Sequence, residues 1–517
     1  MKRLLFVSLS FAAITAFAQK QEAAPKFASL ITPQGLKEKL SILASAEMEG
    51  RETATPGQKK AAAFIEEQFK KFGLQPGNGD SYQQKYPVYQ DELTAKKLQV
   101  NGKVFEWDKD YNFSLQTLSS GDWSFNNAVF AGYGLVDSAK NINDYANLDV
   151  KGKIVIVLDG LPDNYVAPAA PQGRRGFGGP GSANTKAMTA RTKGALGFIV
   201  VSKDFPKKTP TATQGNMYLN KVTNTSSFLV ATVSEEVASA LLGRTFKMSS
   251  AQFKEVPKGN YVSEIKITAT KTTTDLESSN VLGVLPGTDK KDEYIFLTGH
   301  YDHLGKRGDV IWYGADDDGS GTTSVLQMAE AFTAAAKKGN KPRRTIVFMT
   351  VSGEEKGLWG SQYYSEHPIY PLDKTSVDLN TDMDGRIDTE RKTPDTLNYI
   401  YVIGHDKLSS DLPKINEGMN NKYTKLVLDY KYDDPNDQNR IYYRSDHYNF
   451  ARKGVPILFF YDGMLQADYH KPTDTVEKIN FDLMAKRAQL VFYTAWEMAN
   501  RDDMLKRDTP LNMPSNR

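Results

Sequence analysis

From about Ser279 onward, short apolar runs alternate with amphipathic helical patterns, and this alternation restricts the possible folds more than any other feature. The runs are Val281–Leu285, Tyr294–Thr298, Thr345–Val351, Val377–Thr381, Tyr399–Ile403 and Val455–Phe460. Between them lie helical patterns such as Thr322–Lys337. A last one runs from about Phe481 to Arg501, with Met484, Ala488, Val491, Ala495 and Met498 on one face. Strands that alternate with helices build a largely parallel sheet covered on both sides. The fold class expected is therefore α/β, with a mixed, largely parallel central sheet flanked by helices.

The preceding sequence has a different texture. Thr32-Pro33 and Pro56-Gly57 start two helices, the second carrying Phe64, Ile65, Phe69 and Phe72 and stopping at Gly73. The polar stretch Lys20 to Lys26 reads as disordered. From roughly Asn127, short apolar runs (Ala128–Phe130, Ile154–Leu158, Gly197–Val201, Ser227–Val230) alternate with Gly, Pro and Asp turns, the pattern of a small β-rich domain. Its Gly-rich stretch from Gly173 to Gly181 lacks a leading strand and the Lys-Ser/Thr ending of a phosphate loop, and reads as a surface loop.

Two domains suit 517 residues. Residues 1–18 read as a signal peptide: Lys2 and Arg3, then an apolar Leu4–Ile14 too short to span a membrane, then Ala16-Phe17-Ala18 at the cleavage positions. The expected location is therefore exported, periplasmic or extracellular, with no membrane span. A net charge of only +3 points away from nucleic acid. With no Cys, disulfides, thiolate metal ligands and a lipid-modified cysteine anchor are all excluded.

The chemistry lies in the His and acidic residues. Of six His, four sit in polar clusters: His300 and His303, His447, and His470. His300 follows the run Tyr294–Thr298, Glu354 and Glu355 follow Thr345–Val351, and Asp382 follows Val377–Thr381. All fall at carboxyl ends of strands, where a parallel α/β sheet places its ligand crevice. Asp316-Asp317-Asp318 lies in a Gly-bounded turn before a helix, and His470 in the loop after Val455–Phe460. Imidazole and carboxylate ligands without thiolate suit catalytic zinc. The set exceeds what one zinc needs, and one carboxylate bridging two zincs would use it all.

These stretches together resemble the di-zinc exopeptidases typified by secreted bacterial leucine-type aminopeptidases, a family that includes glutamate carboxypeptidase, glutaminyl cyclases and the transferrin receptor. The resemblance is carried by Thr298-Gly299-His300-Tyr301-Asp302-His303, Gly314-Ala315-Asp316-Asp317-Asp318-Gly319, Ser352-Gly353-Glu354-Glu355-Lys356-Gly357, Asn380-Thr381-Asp382-Met383-Asp384-Gly385 and Tyr469-His470-Lys471-Pro472-Thr473-Asp474. Ala44 to Pro56 resembles the opening of the larger members. Phe130-Ala131-Gly132-Tyr133-Gly134 and Leu148 to Val155 resemble the start of a protease-associated domain. The implied organisation is a discontinuous catalytic domain over 27–121 and 263–505, with the β-rich protease-associated insert over 122–262.

The resemblance implies two zincs per chain and peptide substrates. His300 and Asp382 would bind one zinc, Glu355 and His470 the other, and Asp317 both. Glu354 would be the general base toward the water between them. Tyr469 would donate to the oxyanion, and Asp302 would orient His300. Arg444, Asp446 and His447 would line the substrate pocket, and His303 receives no role. An aminopeptidase is the expected activity. A carboxypeptidase or a glutaminyl cyclase is the alternative within the fold, and a non-catalytic receptor is disfavoured because every ligand is present.

Overall fold

The computed structural model describes residues 22–113, 118–163, 165–166, 179–206, 217–220, 228–248 and 256–513. The signal segment 1–18 lies outside the described residues, as does the Gly-rich stretch as far as residue 178. The chain divides into two compact units, one of residues 1–86 and 277–517, the other of residues 87–276.

In the first unit the sheet order is Val427–Asp429, Tyr399–Ile403, Ile457–Tyr461, Thr375–Thr381, Lys290–His300, Arg344–Val351 and the end of Gly259–Leu285. Lys290–His300 pairs in parallel with both Arg344–Val351 and Thr375–Thr381, and Thr375–Thr381 pairs in parallel with Ile457–Tyr461. Tyr399–Ile403 and residues 281–285 pair antiparallel, so the sheet is mixed but largely parallel at its centre.

Strand alternation divides the core. Ile295, Leu297, Phe348, Leu379 and Leu458 point to one face, where Leu36, Leu40, Phe69, Phe332, Phe492 and Trp496 cover them. Phe296, Val347, Met349 and Phe459 point to the other, against Tyr364 and Phe450. Each such side chain, once buried, contributes on the order of 1.5–3 kcal/mol.

The covering helices begin and end where their sequences direct. Pro33–Leu43 is capped by the Thr32 side chain, which accepts from Gly35 N; Pro56–Phe72 is capped likewise by Thr55 and ends on left-handed Gly73. Gly321–Lys337 follows the Asp316–Asp318 turn, and Phe481–Asn500 closes the unit. Lys20 to Lys26, read as disordered, requires correction: residues 22–28 are helical, and Ala24, Phe27 and Ala28 are buried, Phe27 stacking on Trp496 at 6.0 Å. Apolar residues at 24, 27 and 28 share one helical face, and the polar composition of the stretch masks that spacing.

The second unit has a parallel core of Gly121–Phe130, Ile154–Leu158, Gly197–Val201 and Leu229–Val233. The first part of Gly259–Leu285 and the short strand Tyr111–Phe113 flank this core, both antiparallel to it. Two short helices, Ala183–Thr192 and Glu235–Leu242, belong to it. Its extent is wider than residues 122–262, because Leu98, Val100, Phe105 and Tyr111 are part of its own core.

Candidate metal centre

The site residues lie at one end of the first unit's sheet, each delivered by a strand end or the loop after it. His300 is the last residue of Lys290–His300 and is 1% exposed. Its Nε2 lies 3.2 Å from Asp317 Oδ1 and 3.6 Å from Asp382 Oδ1. The other Asp317 oxygen, Oδ2, lies 3.1 Å from His470 Nε2, which is itself 3.0 Å from Glu355 Oε2. Asp317 therefore faces two sets of ligating atoms, one through each oxygen. His470 holds φ at +56°, a backbone conformation rare outside glycine and frequent where function fixes a residue.

The electrostatics favour a cation. Burial pushes Glu354 well above its ordinary range, and Glu355, Asp382 and Asp446 add to that. Burial also opposes the ionised forms of Asp317 and Glu355. Against it, His300 and His470 hold Asp317 low, and His303 and His470 bring Glu355 down to about 2. The same carboxylates outweigh burial at His470 and raise it to about 10. Among the described residues, the buried His300 Nε2, Asp317 Oδ2 and Glu355 Oε1 have no hydrogen-bond partner. Buried polar atoms left unpaired are costly, and a cation bound in each ligand group would satisfy them. Imidazole and carboxylate donors without thiolate fit zinc. Two groups have the reach to hold an ion: His300, Asp317 and Asp382, and His303, Asp317 and Glu355.

Glu354 stands beside these groups, with Oε2 3.8 Å from His300 Nε2. Tyr469 stacks on His470 at 3.9 Å, and its hydroxyl accepts from Arg444 Nη2 at 2.9 Å. The cleft in front is lined by Asp317, Glu354 and Asp382, by Arg444 and Tyr469, and by Met383, Ile441, Phe459, Tyr461 and Leu465. Of the three residues expected to line the pocket, Arg444 does. Asp446 and His447 are instead fully buried behind it. Asp446 accepts from Ser361 Oγ at 2.5 Å, and the His447 ring stacks on Phe459 with Nε2 2.8 Å from the Tyr442 carbonyl. His447 opens the helix His447–Ala451 and Asp446 precedes it at the N-cap, both with buried side chains, while Arg444, farther back, stays on the open side.

Asp302 lies beside His300, but His300 Nδ1 approaches the Asp302 carbonyl at 3.1 Å more closely than its carboxylate at 3.6 Å. The carboxylate accepts instead from Thr53 Oγ1 at 2.6 Å and from Glu354 N at 3.2 Å, and so ties the Glu354 loop to the His300 loop. Several supports escaped sequence reasoning. Asp474 accepts from the backbone N–H of Asp316 and Asp317. Asp318 accepts from His300 N, Gly321 N and Met383 N. Buried Arg51 donates to the carbonyls of Leu43, Tyr301, Tyr313 and Gly314. The only signals available were that Asp318, Asp474 and Arg51 fall inside stretches that carry the resemblance.

A largely parallel α/β sheet with imidazoles and carboxylates converging at its strand ends, in two sets sharing one Asp, defines the class: an α/β protein built around a cation site. The comparisons name the family. Residues 280–495 match Peptidase family M28 and residues 126–241 match the PA domain, so the chain carries an M28 peptidase region and a PA domain. A "Probable leucine aminopeptidase" of Trichophyton verrucosum (strain HKI 0517) is 30% identical over 231 residues, covering 44% of this chain and 59% of that protein. "Aminopeptidase NAALADL1" of Rattus norvegicus is 33% identical over 132 residues, covering 25% of this chain and 17% of that protein. The chain thus spans less than two thirds of the curated relatives it matches. Among solved structures, an aminopeptidase from Aneurinibacillus sp. strain AM-1 aligns with a TM-score of 0.56 at 18% identity, covering 96% of this chain and 100% of that one. BSAP, a zinc aminopeptidase from Bacillus subtilis, aligns at 0.52 and 20% identity, covering 93% and 99%. At these identities the likeness is one of fold.

Proposed function

We propose that this chain is an exported di-zinc aminopeptidase that removes residues from the free amino end of peptides. The observation that carries the reading is Asp317, whose two oxygens face separate ligand groups, His300 with Asp382 on one side and Glu355 with His470 on the other. Aminopeptidase activity is named for the relatives and for the solved structures of like fold. Export rests on the N-terminal sequence, and no helix among the described residues is long and apolar enough to cross a membrane.

Zinc bound there would supply Lewis acidity, lowering the pKa of water and polarising the scissile carbonyl. The chain's own residues do the rest. Glu354, which lines the cleft beside the ligand groups, takes the proton of the attacking water and passes it to the leaving amine. Tyr469 donates to the oxyanion. Arg444 can only donate, so the Tyr469 oxygen is the acceptor of that bond and its own proton stays free for the substrate. The carboxylates of the cleft attract the substrate's ammonium, and the wall of Met383, Ile441, Phe459 and Leu465 suits an apolar first side chain.

The test uses leucine anilide and its N-acetyl form, with and without a chelator. The free-amine substrate is hydrolysed, the acetylated one is not, chelation abolishes the activity, and added zinc restores it. Faster hydrolysis of the acetylated substrate, or activity that survives chelation, would overturn the reading.

A further inference from the structure

His303 is the one clustered histidine to which the resemblance gives no role. It is fully buried, and its backbone is fixed: His303 N donates to the Arg51 carbonyl at 3.2 Å, and the residue bridges to Glu52. Its ring lies against Gly314, where an added Cβ would meet His303 Cγ at 2.4 Å, so the glycine at 314 leaves room for this imidazole. Nδ1 sits 2.8 Å from Glu355 Oε1 and 4.0 Å from Asp317 Oδ2.

A distance of 2.8 Å suggests a hydrogen bond, but the orientation is wrong. Neither His303 nitrogen has a hydrogen-bond partner among the described residues, and neither does Glu355 Oε1. A buried imidazole with both nitrogens idle is strongly disfavoured. Atoms that crowd together without sharing a proton are what a common cation explains: ligands at zinc bond lengths of about 2.0–2.2 Å lie about 3–3.5 Å from one another, and the 2.8 and 4.0 Å from His303 Nδ1 to the two carboxylates bracket that spacing. Glu355 offers its other oxygen, Oε2, to His470, so the carboxylate stands between the two imidazoles, whose ring centroids are 6.0 Å apart.

We infer that His303 Nδ1 is a further ligand of the zinc held by Asp317, Glu355 and His470. That ion then has two imidazoles and two carboxylates, while the ion at His300 and Asp382 has one imidazole. The inference rests on the two-zinc reading above. Its consequence is a more tightly held second zinc.

Two measurements on the full chain test it. X-ray absorption at the zinc edge of the loaded wild type counts about three imidazoles over two zincs. In zinc-buffered titrations followed by atomic spectroscopy, His303→Ala and His303→Gln keep one zinc and bind the second at least about 10²-fold more weakly. That exceeds most losses from removing a residue that only orients a ligand, which run about 10–100-fold. Circular dichroism at saturating zinc verifies that the variants fold, and the absorption measurement needs no variant. Two imidazoles over two zincs in the wild type, or variants that bind the second zinc within about 3-fold of wild type, would overturn the assignment and leave the two-zinc reading intact. A wild type holding a single zinc would sink both.

Discussion

At the level of single residues, the proposed ligands were legible as a cluster because metal chemistry restricts residue type and the sheet restricts position. His300, Asp317, Glu355, Asp382 and His470 fall at strand ends or in the loops beside them, and each set brings its atoms within 4 Å of Asp317 or its partner. Their supports were not legible, since a buried Asp accepting backbone N–H groups, as Asp318 and Asp474 do, looks like any loop Asp in a sequence. His447 shows the opposite failure: its polar neighbours suggested a pocket, yet helix geometry turns it into the core. That burial has a measurable consequence. Burial drives the His447 pKa down to about 3, while the unfolded chain would titrate it near 6.5. Between those values the unfolded state binds the extra proton, so its contribution to stability is intact above about 6.5 and is lost as pH falls toward 3. His447→Phe is expected to remove up to about 1.4 kcal/mol per pH unit of slope from the stability curve in that window. Urea midpoints of both proteins from pH 7 to 4 check this; parallel curves would contradict it.

Whole elements were read best where caps and periodicity agreed. Pro33–Leu43 and Pro56–Phe72 begin at Thr-Pro pairs and are amphipathic, and the second ends at Gly73. The helix over 22–28 was missed because polar residues dilute its apolar face. In Phe481–Asn500 the apolar face was evident, but a charged residue within it was not. Arg487 is fully buried and donates to the carbonyls of Tyr399, Asp384 and Arg386, so it pins the last helix to the strand Tyr399–Ile403 and to the loop after Asp382. Arg487→Met would leave two buried carbonyls and a part-buried one without this donor, at roughly 1–3 kcal/mol for each buried group before relaxation. A loss of at least about 3 kcal/mol in chemical denaturation is expected, with the site's zinc affinity reduced as well. A change below about 1 kcal/mol would show that the helix is held by its apolar face alone.

For the molecule as a whole, the sequence located two textures but blurred the seam. Strand residues such as Leu98 and Val100 look alike on either side of it, and only their packing assigns them to the second unit. All proposed ligands belong to the first unit, so zinc stabilises that unit through its binding free energy. Calorimetry with and without chelator should therefore move the first unit's transition by several degrees and leave the second unit's in place; equal shifts in both would contradict the assignment of all ligands to one unit. The central claim, that adjacent glutamates divide base and ligand between them in a working zinc enzyme, has a more direct test. Zinc content and kcat on leucine anilide are measured together for Glu354→Gln and Glu355→Gln. Glu354→Gln should keep its zinc and its fold while losing at least about 10²-fold in kcat, and Glu355→Gln should lose zinc. A Glu354→Gln protein that sheds metal, or that retains near-normal kcat, would contradict the account.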